Sequence, residues 1–453
     1  MLYSDYTITI SARQGAGYPV SVLAEGMGRN SDVLAAPPAE LARLIAQVDS
    51  LPSGDGHDEI LTATGVALFR WLTGRLETHL RVAWDRAEHH GRGLRLRLSM
   101  DPPEINAWPW ELLHDPQRDR TFATSIATPL VRYLDRTDQF GGLTNLKADL
   151  PLKMLLILPQ SADLNLVKER AVIERAIIPL DDVLKLKVVD GTVTRARFAD
   201  ALITSDYEIV HGSGHGSFFD GVGYIGLNNA DGSPDWVDGQ VMGRFVVNCK
   251  SLKLGVLNVC SSGKVDEGRA FQGLAPQLVR AGVPAVVAMQ YPLSDDAAMA
   301  FAEEFYRRLC TGDNSVGRVD VAVTYARNML AILYPGDRCF AAPVVYTHAA
   351  DGVIFALQKQ TAATAASSGP ADGLSRLLAE SLRASAAFDD DMALAERAML
   401  DDWRLSLARA AGEYHRHLTE PGAPAQEAAR QGLALMRRRI QVIDTRLSNV
   451  AAE

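Results

Sequence analysis

Apolar and polar residues alternate with a period of two in Tyr6-Thr-Ile-Thr-Ile10 and again in Leu94-Arg-Leu-Arg-Leu98. Each stretch predicts a strand, and the leucine–arginine alternation of the second reads as a strand with one wet face. Between them Leu61, Leu68, Phe69, Leu72 and Leu76 recur at helical spacing and predict one long helix over about 57–88. The texture changes at Lys153. Met154-Leu-Leu-Ile-Leu158, Leu184 to Val189, Glu208-Ile-Val210, Leu254-Gly-Val-Leu-Asn-Val259 and Ala285-Val-Val-Ala288 are short, nearly continuous apolar runs. Helical segments near 166–178, 194–203, 268–281, 294–309 and 316–333 alternate with them. Buried strands interleaved with helices predict an α/β fold with a largely parallel sheet covered on both faces. Pro343-Val-Val-Tyr346 and Val353-Ile-Phe-Ala-Leu357 read as closing strands.

The pattern divides the chain into an N-terminal α/β region (1–150), a core (151–358), a linker (359–373) and a helical segment (374–453). The linker is small, polar and without periodicity around Lys359 to Pro370. Beyond it Leu374, Leu377, Leu378 and Leu382 form one apolar stripe, and Leu400, Trp403 and Leu407 another. Pro421 and Pro424 break the pattern before a third, basic-faced helix with Met436, Ile440, Ile443 and Leu447. This segment carries no catalytic residues and reads as a docking or self-assembly module, or as a lid.

Composition narrows the class. At 453 residues the chain has room for about two or three domains. It is 47% hydrophobic and 22% charged, as an ordinary soluble protein is. A formal charge of −9 weighs against a broad nucleic-acid-binding face. No apolar run reaches the roughly 18 to 20 residues that span a bilayer, so no membrane partner is expected. The N-terminus lacks the basic region and apolar core of a signal peptide. Cys249, Cys260, Cys310 and Cys339 form no CxxC pair, and a reducing, cytoplasmic setting is expected.

Two histidines, His211 and His215, emerge from an apolar run into glycine-rich text in Tyr207-Glu-Ile-Val-His-Gly-Ser-Gly-His-Gly-Ser-Phe-Phe-Asp220. Metal binding, phosphate cradling, nucleophilic catalysis and turn-making each produce such text. Functional groups of open α/β sheets collect at the carboxyl ends of strands, and His215 falls there. So does Cys260, which follows the Leu254 to Val259 run and precedes Ser261-Ser-Gly263. Adjacent parallel strands would bring the two to one sheet edge, although 45 positions separate them. Imidazole is the usual group that makes a thiol a useful nucleophile near neutral pH. The backbone N–H groups of Gly216 and Cys260 suit an oxyanion. A zinc site lacks third and fourth ligands at suitable spacing. A phosphate loop lacks the following Lys-Ser/Thr and helix start. No metal or cofactor is expected. His211 reads as a supporting residue bonded to the active-site loops, and Cys249, Cys310 and Cys339 as bystanders.

"HGSGHG" after one apolar strand and "LNVCSSG" after the next resemble the two signatures of caspase/separase-type (clan CD) cysteine peptidases. The similarity is greater to the bacterial CHAT branch. Trp108-Pro-Trp-Glu-Leu-Leu113 and Pro129-Leu-Val-Arg-Tyr-Leu134 resemble the segment upstream of many CHAT cores. Gly273-Leu-Ala, Ala281-Gly-Val-Pro-Ala-Val-Val287, Pro343-Val-Val-Tyr346 and Asp351-Gly-Val-Ile-Phe355 resemble the rest of the domain, over about 90–358. Asn258-Val259 and Tyr291-Pro-Leu293 depart from the family pattern without touching the dyad.

The resemblance implies a caspase-like fold whose N-terminal half is a pseudo-caspase layer, with Trp108 and Trp110 as packing residues. It implies Cys260 as nucleophile and His215 acting mainly on the leaving nitrogen. A substrate pocket is expected along Gln290, Tyr291, Asp295 and Asp296, with the two aspartates also suited to capping the next helix. Asn228 to Trp236 is expected as a loop over the cleft. The implied role is regulated cleavage of a protein substrate, gasdermin-like or caspase-like, in anti-phage defence or programmed cell death. A sensor protein docking on 374–453 is the implied activator, and self-association stays open. The rival readings are a catalytically silent scaffold and a sensor that processes only itself.

Overall fold

A computed structural model describes residues 1–54, 56–134, 147–161, 166–219, 222–259, 265–311 and 315–357. The chain divides into two compact units, Met1–Gln358 and Lys359–Glu453. The second, with the expected linker and C-terminal helices, lies outside the described residues. So does Cys260.

The first unit opens with strands β1 (Tyr3–Ile10), β2 (Gly17–Ala24) and β3 (Gly28–Ala35). Helices α1 (Ala39–Ser50), α2 (Asp58–Thr73) and α3 (Glu77–His89) follow, then β4 (Gly93–Met100) and the short α4 (Pro103–Asn106). A small ribbon, β5 (His114–Asp115) with β6 (Arg120–Thr121), precedes β7 (Leu130–Tyr133) and β8 (Lys147–Ala148). Next come β9 (Leu152–Pro159), α5 (Leu166–Ile177), β10 (Leu184–Gly191), α6 (Arg195–Ile203) and β11 (Ile209–Gly214). Three hairpin strands follow, β12 (Gly216–Phe219), β13 (Val222–Asn228) and β14 (Pro234–Asp238), and then α7 (Gly239–Val246). The unit finishes with β15 (Leu254–Val259), α8 (Val265–Arg280), β16 (Ala285–Met289), α9 (Asp295–Thr311), α10 (Val319–Leu333), β17 (Pro343–Thr347) and β18 (Ala356–Leu357).

Eleven strands form one sheet in the order β10-β9-β11-β15-β16-β17-β7-β4-β1-β2-β3. From β10 to β16 every pairing is parallel. The direction reverses at β16–β17, after which β17, β7, β4 and β1 are parallel to one another, and it reverses again at β1–β2 and at β2–β3. Strands from both sides of residue 150 thus share one sheet. The apolar runs are continuous because β9, β15 and β16 bury side chains on both faces. The carboxyl ends of β9, β11, β15 and β16 collect on one edge.

Four features differ from the sequence pattern. The long helix is two, α2 and α3, broken by a 3₁₀ turn at Gly74–Leu76. Gly74 takes φ of 44°, which ends α2, and the turn re-phases the apolar stripe so that Leu76, Leu80 and Trp84 continue it. The arginine face of β4 is not wet. Arg95 is only 4% exposed and pairs with Asp5 and Asp320, while Arg97 pairs with Asp5 and lies over the Tyr133 ring. Because β4 is an interior strand whose other face is also covered, both arginines carry their counter-ions inward. Of the second closing strand Val353 makes an isolated antiparallel bridge with Arg318, and Ala356–Leu357 pairs with Lys147–Ala148 in a separate ribbon. Ile354 and Phe355 instead plug the core, and Gly317 (φ 71°) admits the Phe355 carbonyl where any Cβ would collide with it. The segment Asn228 to Trp236 is a hairpin turn rather than an open loop, joining β13 to β14 in a three-stranded antiparallel sheet.

Candidate active site

β11 and β15 lie side by side, in register from Ile209↔Leu254 to Gly214↔Val259. His215 is the next residue on one strand. Cys260 is the next residue of the chain on the other.

His215 is half-buried, and its Nε2 lies 2.9 Å from the Ser161 hydroxyl at the end of β9. Gly216 opens β12 opposite Ile225, and the His215 carbonyl accepts from Gly226 N. Just below, the register partners Ser213 and Asn258 both donate to Glu169 of α5, at 3.0 and 3.4 Å. One carboxylate therefore ties the two strands to the helix that crosses them. Asn258 thus has an interior role.

His211 meets the opposite surroundings. It is 3% exposed, its Nδ1 lies 2.8 Å from Tyr306 Oη of α9, and its Nε2 has no partner among the described residues. Burial without a counter-charge lowers its pKa to about 3, so the ring is neutral. Its side-chain partner is thus a helix in the core and not a loop of the site.

Beside the end of β16 a cavity of about 650 Å³ opens between α1, α4 and α8, lined among others by Ile45, Trp108, Phe218, Gln277, Gln290 and Tyr291. Tyr291 donates to Asp49 of α1 at 3.0 Å, and Arg338 lies over its ring. Burial and the neighbouring Asp49 raise the Tyr291 phenol well above its ordinary value. The Gln290 amide turns inward and donates to Glu111 Oε2 (2.8 Å) and the Ala341 carbonyl (2.6 Å). Asp295 and Asp296 do not line this cavity. They occupy the first turn of α9, where Ser294 accepts from Ala297 N and Asp295 lies 3.5 Å from Lys168.

Burial raises the Cys249 thiol and pushes Cys310 and Cys339 up to about 12. All three are protonated near neutral pH and make poor nucleophiles. Among the described residues there is no cluster of His, Cys, Asp and Glu suited to a metal, and no helix long and apolar enough to cross a membrane.

Sequence reasoning passed over Ser161, Glu169 and Glu111. Ser161 was within reach, since it follows an apolar parallel strand, where functional groups gather. The other two act across long sequence separations that no local pattern encodes.

The fold is a mixed α/β architecture, a largely parallel sheet flanked by helices. A family model described as CHAT domain matches residues 62–333, and the chain belongs to that family. Among solved structures it is similar to Saccharomyces cerevisiae separase in complex with securin (14% identity, 76% of this chain and 30% of that chain, TM-score 0.41). It is also similar to the arginine-specific cysteine proteinase gingipain R (12% identity, 58% of this chain and 63% of that chain, TM-score 0.35). The complex of Porphyromonas gingivalis RgpB pro- and mature domains is a further match (12% identity, 71% and 78%, TM-score 0.38). This chain spans about 30% of the length of the separase chain. No curated protein matches it.

Proposed function

We propose that the protein is a cysteine endopeptidase in which Cys260 is the nucleophile and His215 the proton donor to the leaving amine. The observation that carries this reading is the parallel register ending at Gly214↔Val259, after which His215 and Cys260 come next in the sequence. Sulfur attacks the scissile carbonyl, and the N–H groups of Cys260 and Gly216 hold the oxyanion. The C–N bond breaks as His215 protonates the nitrogen, and water then hydrolyses the thioester. His211 supports the strand from the interior. The cavity at Tyr291 selects the substrate. The proposed setting is regulated, site-specific cleavage of a protein in the cytoplasm, in anti-phage defence or programmed cell death, under control of a partner that docks on 374–453.

The test is digestion of a proteome-derived peptide library by the wild type, Cys260→Ala and His215→Ala, read by mass spectrometry. Cleavages that share a preferred residue and vanish in both variants support the reading. Cleavage that survives Cys260→Ala rejects it, and silence of all three proteins turns the assignment toward a scaffold.

A further inference from the structure

The small antiparallel sheet β12–β13–β14 begins directly after His215, and its two faces differ. One face carries Ile225, Leu227 and Val237, none more than 4% exposed, and is closed by the core. On the other face stand Ser217, Tyr224, Gly226 and Trp236. Alternation in a half-buried sheet calls for polar side chains there, and two of these positions are aromatic. Gly226 pairs with Trp236 and donates its N–H to the His215 carbonyl at 3.0 Å, so His215, Gly226 and Trp236 form one row across the sheet. The middle member has no side chain, and the indole lies close over it. A Cβ on Gly226 would stand 3.5 Å from Trp236 Cζ3 and 3.7 Å from the His215 carbonyl oxygen. Tyr224, which pairs with Asp238, is the diagonal neighbour of Trp236 on this face. Trp84 and Trp110 are buried, and Trp71 and Trp108 pack against the core, whereas Trp236 is 44% exposed. The hairpin's carboxylates are engaged: Asp231 accepts from Ser233, Asp235 pairs with Arg195, and Asp238 caps α7.

We propose that Trp236 determines specificity on the leaving side of the scissile bond, where its indole takes a large apolar side chain of the first residue after the cut. This inference rests on the dyad reading above. His215 hands its proton to the departing nitrogen, so the departing chain passes over the imidazole. Side chains that share its row on the hairpin sheet, away from β15, are the ones that chain meets. A half-exposed indole supplies a large, rigid apolar surface that loses little freedom when it is covered. With the neighbouring carboxylates engaged, nothing in the row selects a cation over an apolar group. The residue released with the new amino terminus is therefore Leu, Met or Phe in preference to Gly or Asp. The cavity at Tyr291 and the indole of Trp236 thus read different parts of the substrate.

The test compares wild type, Trp236→Ala and Trp236→Phe on peptides that differ only in the first residue after the cut. The wild type is expected to favour Leu or Phe over Gly by about 10- to 100-fold in kcat/KM. Trp236→Ala loses most of that preference while its kcat/KM for Gly stays near the wild-type value, and Trp236→Phe keeps most of it. Labelling of Cys260 by a peptidyl electrophile without a leaving-side residue runs at the wild-type rate in both variants, which separates lost specificity from a damaged fold. A second measurement needs no turnover: ¹⁹F NMR of the full Cys260→Ala chain carrying 5-fluorotryptophan, with Trp236→Phe to assign the signal. The Trp236 signal shifts with Phe-Ala-Ala amide, a mimic of the leaving product, and stays in place with Gly-Ala-Ala amide. A wild type indifferent to that residue, a preference for Lys or Arg, a preference unchanged in Trp236→Ala, or an unmoved fluorine signal overturns the inference. Absence of Cys260-dependent cleavage sinks the dyad reading instead, and the fluorine signal still decides whether Trp236 takes an apolar side chain.

Discussion

His211 and His215 stand four residues apart on one run of chain and meet opposite surroundings. The first is sealed against Tyr306 and has its pKa lowered to about 3, so the unfolded chain, with an ordinary value near 6.5, binds a proton that the folded chain refuses. Its contribution to stability is therefore intact above about pH 6.5 and falls with pH toward 3, by about 1.4 kcal/mol per unit. Urea midpoints at pH 7.5 and 5.5 check this: the wild type loses roughly 1 kcal/mol more than His211→Gln between the two. Equal losses would mean that His211 titrates normally in the folded chain. The sequence displayed both histidines. It separated them only through strand position, because glycine spacing does not say how deep a strand end lies. Ser161 escaped notice because its place after an apolar parallel strand was the one signal it gave, and no motif accompanied it.

At the scale of elements, the segments that flank the core meet in one buried cluster. Glu111, from the WPWELL segment, forms a two-pronged pair with Arg132 of β7 at 2.7 and 3.1 Å, and accepts from Gln290 at the end of β16. Arg132 also donates to the Asn106 and Trp108 carbonyls. Glu111→Gln leaves the Arg132 charge uncompensated in the interior, and a loss of about 3–5 kcal/mol is expected in denaturant unfolding. A loss under 1 kcal/mol would show that water reaches the pair. Asp238, which caps α7 by accepting from Val241 N, gives a smaller effect: Asp238→Ala costs about 1 kcal/mol. The core strands were legible because strands buried on both faces leave an unbroken apolar run. The arginine face of β4 misled because alternation reports polarity, and here the polar side chains find Asp5 and Asp320 rather than water. The β12–β14 sheet was hidden because its strands are short and rich in glycine.

For the whole molecule, the reversal at β16–β17 separates two parallel blocks that run in opposite directions and leaves the carboxyl ends of β9, β11, β15 and β16 on one edge. That edge is where His215 and Ser161 lie, and where the proposed chemistry belongs. The measurement that tests this most directly is intact-mass and peptide mapping of the full chain after brief exposure to a peptidyl electrophile at neutral pH. The four cysteines then compete, and the account predicts an adduct on Cys260 that is strongly slowed in His215→Ala and little changed in His211→Gln. Labelling that favours Cys249, or that ignores His215, would contradict it.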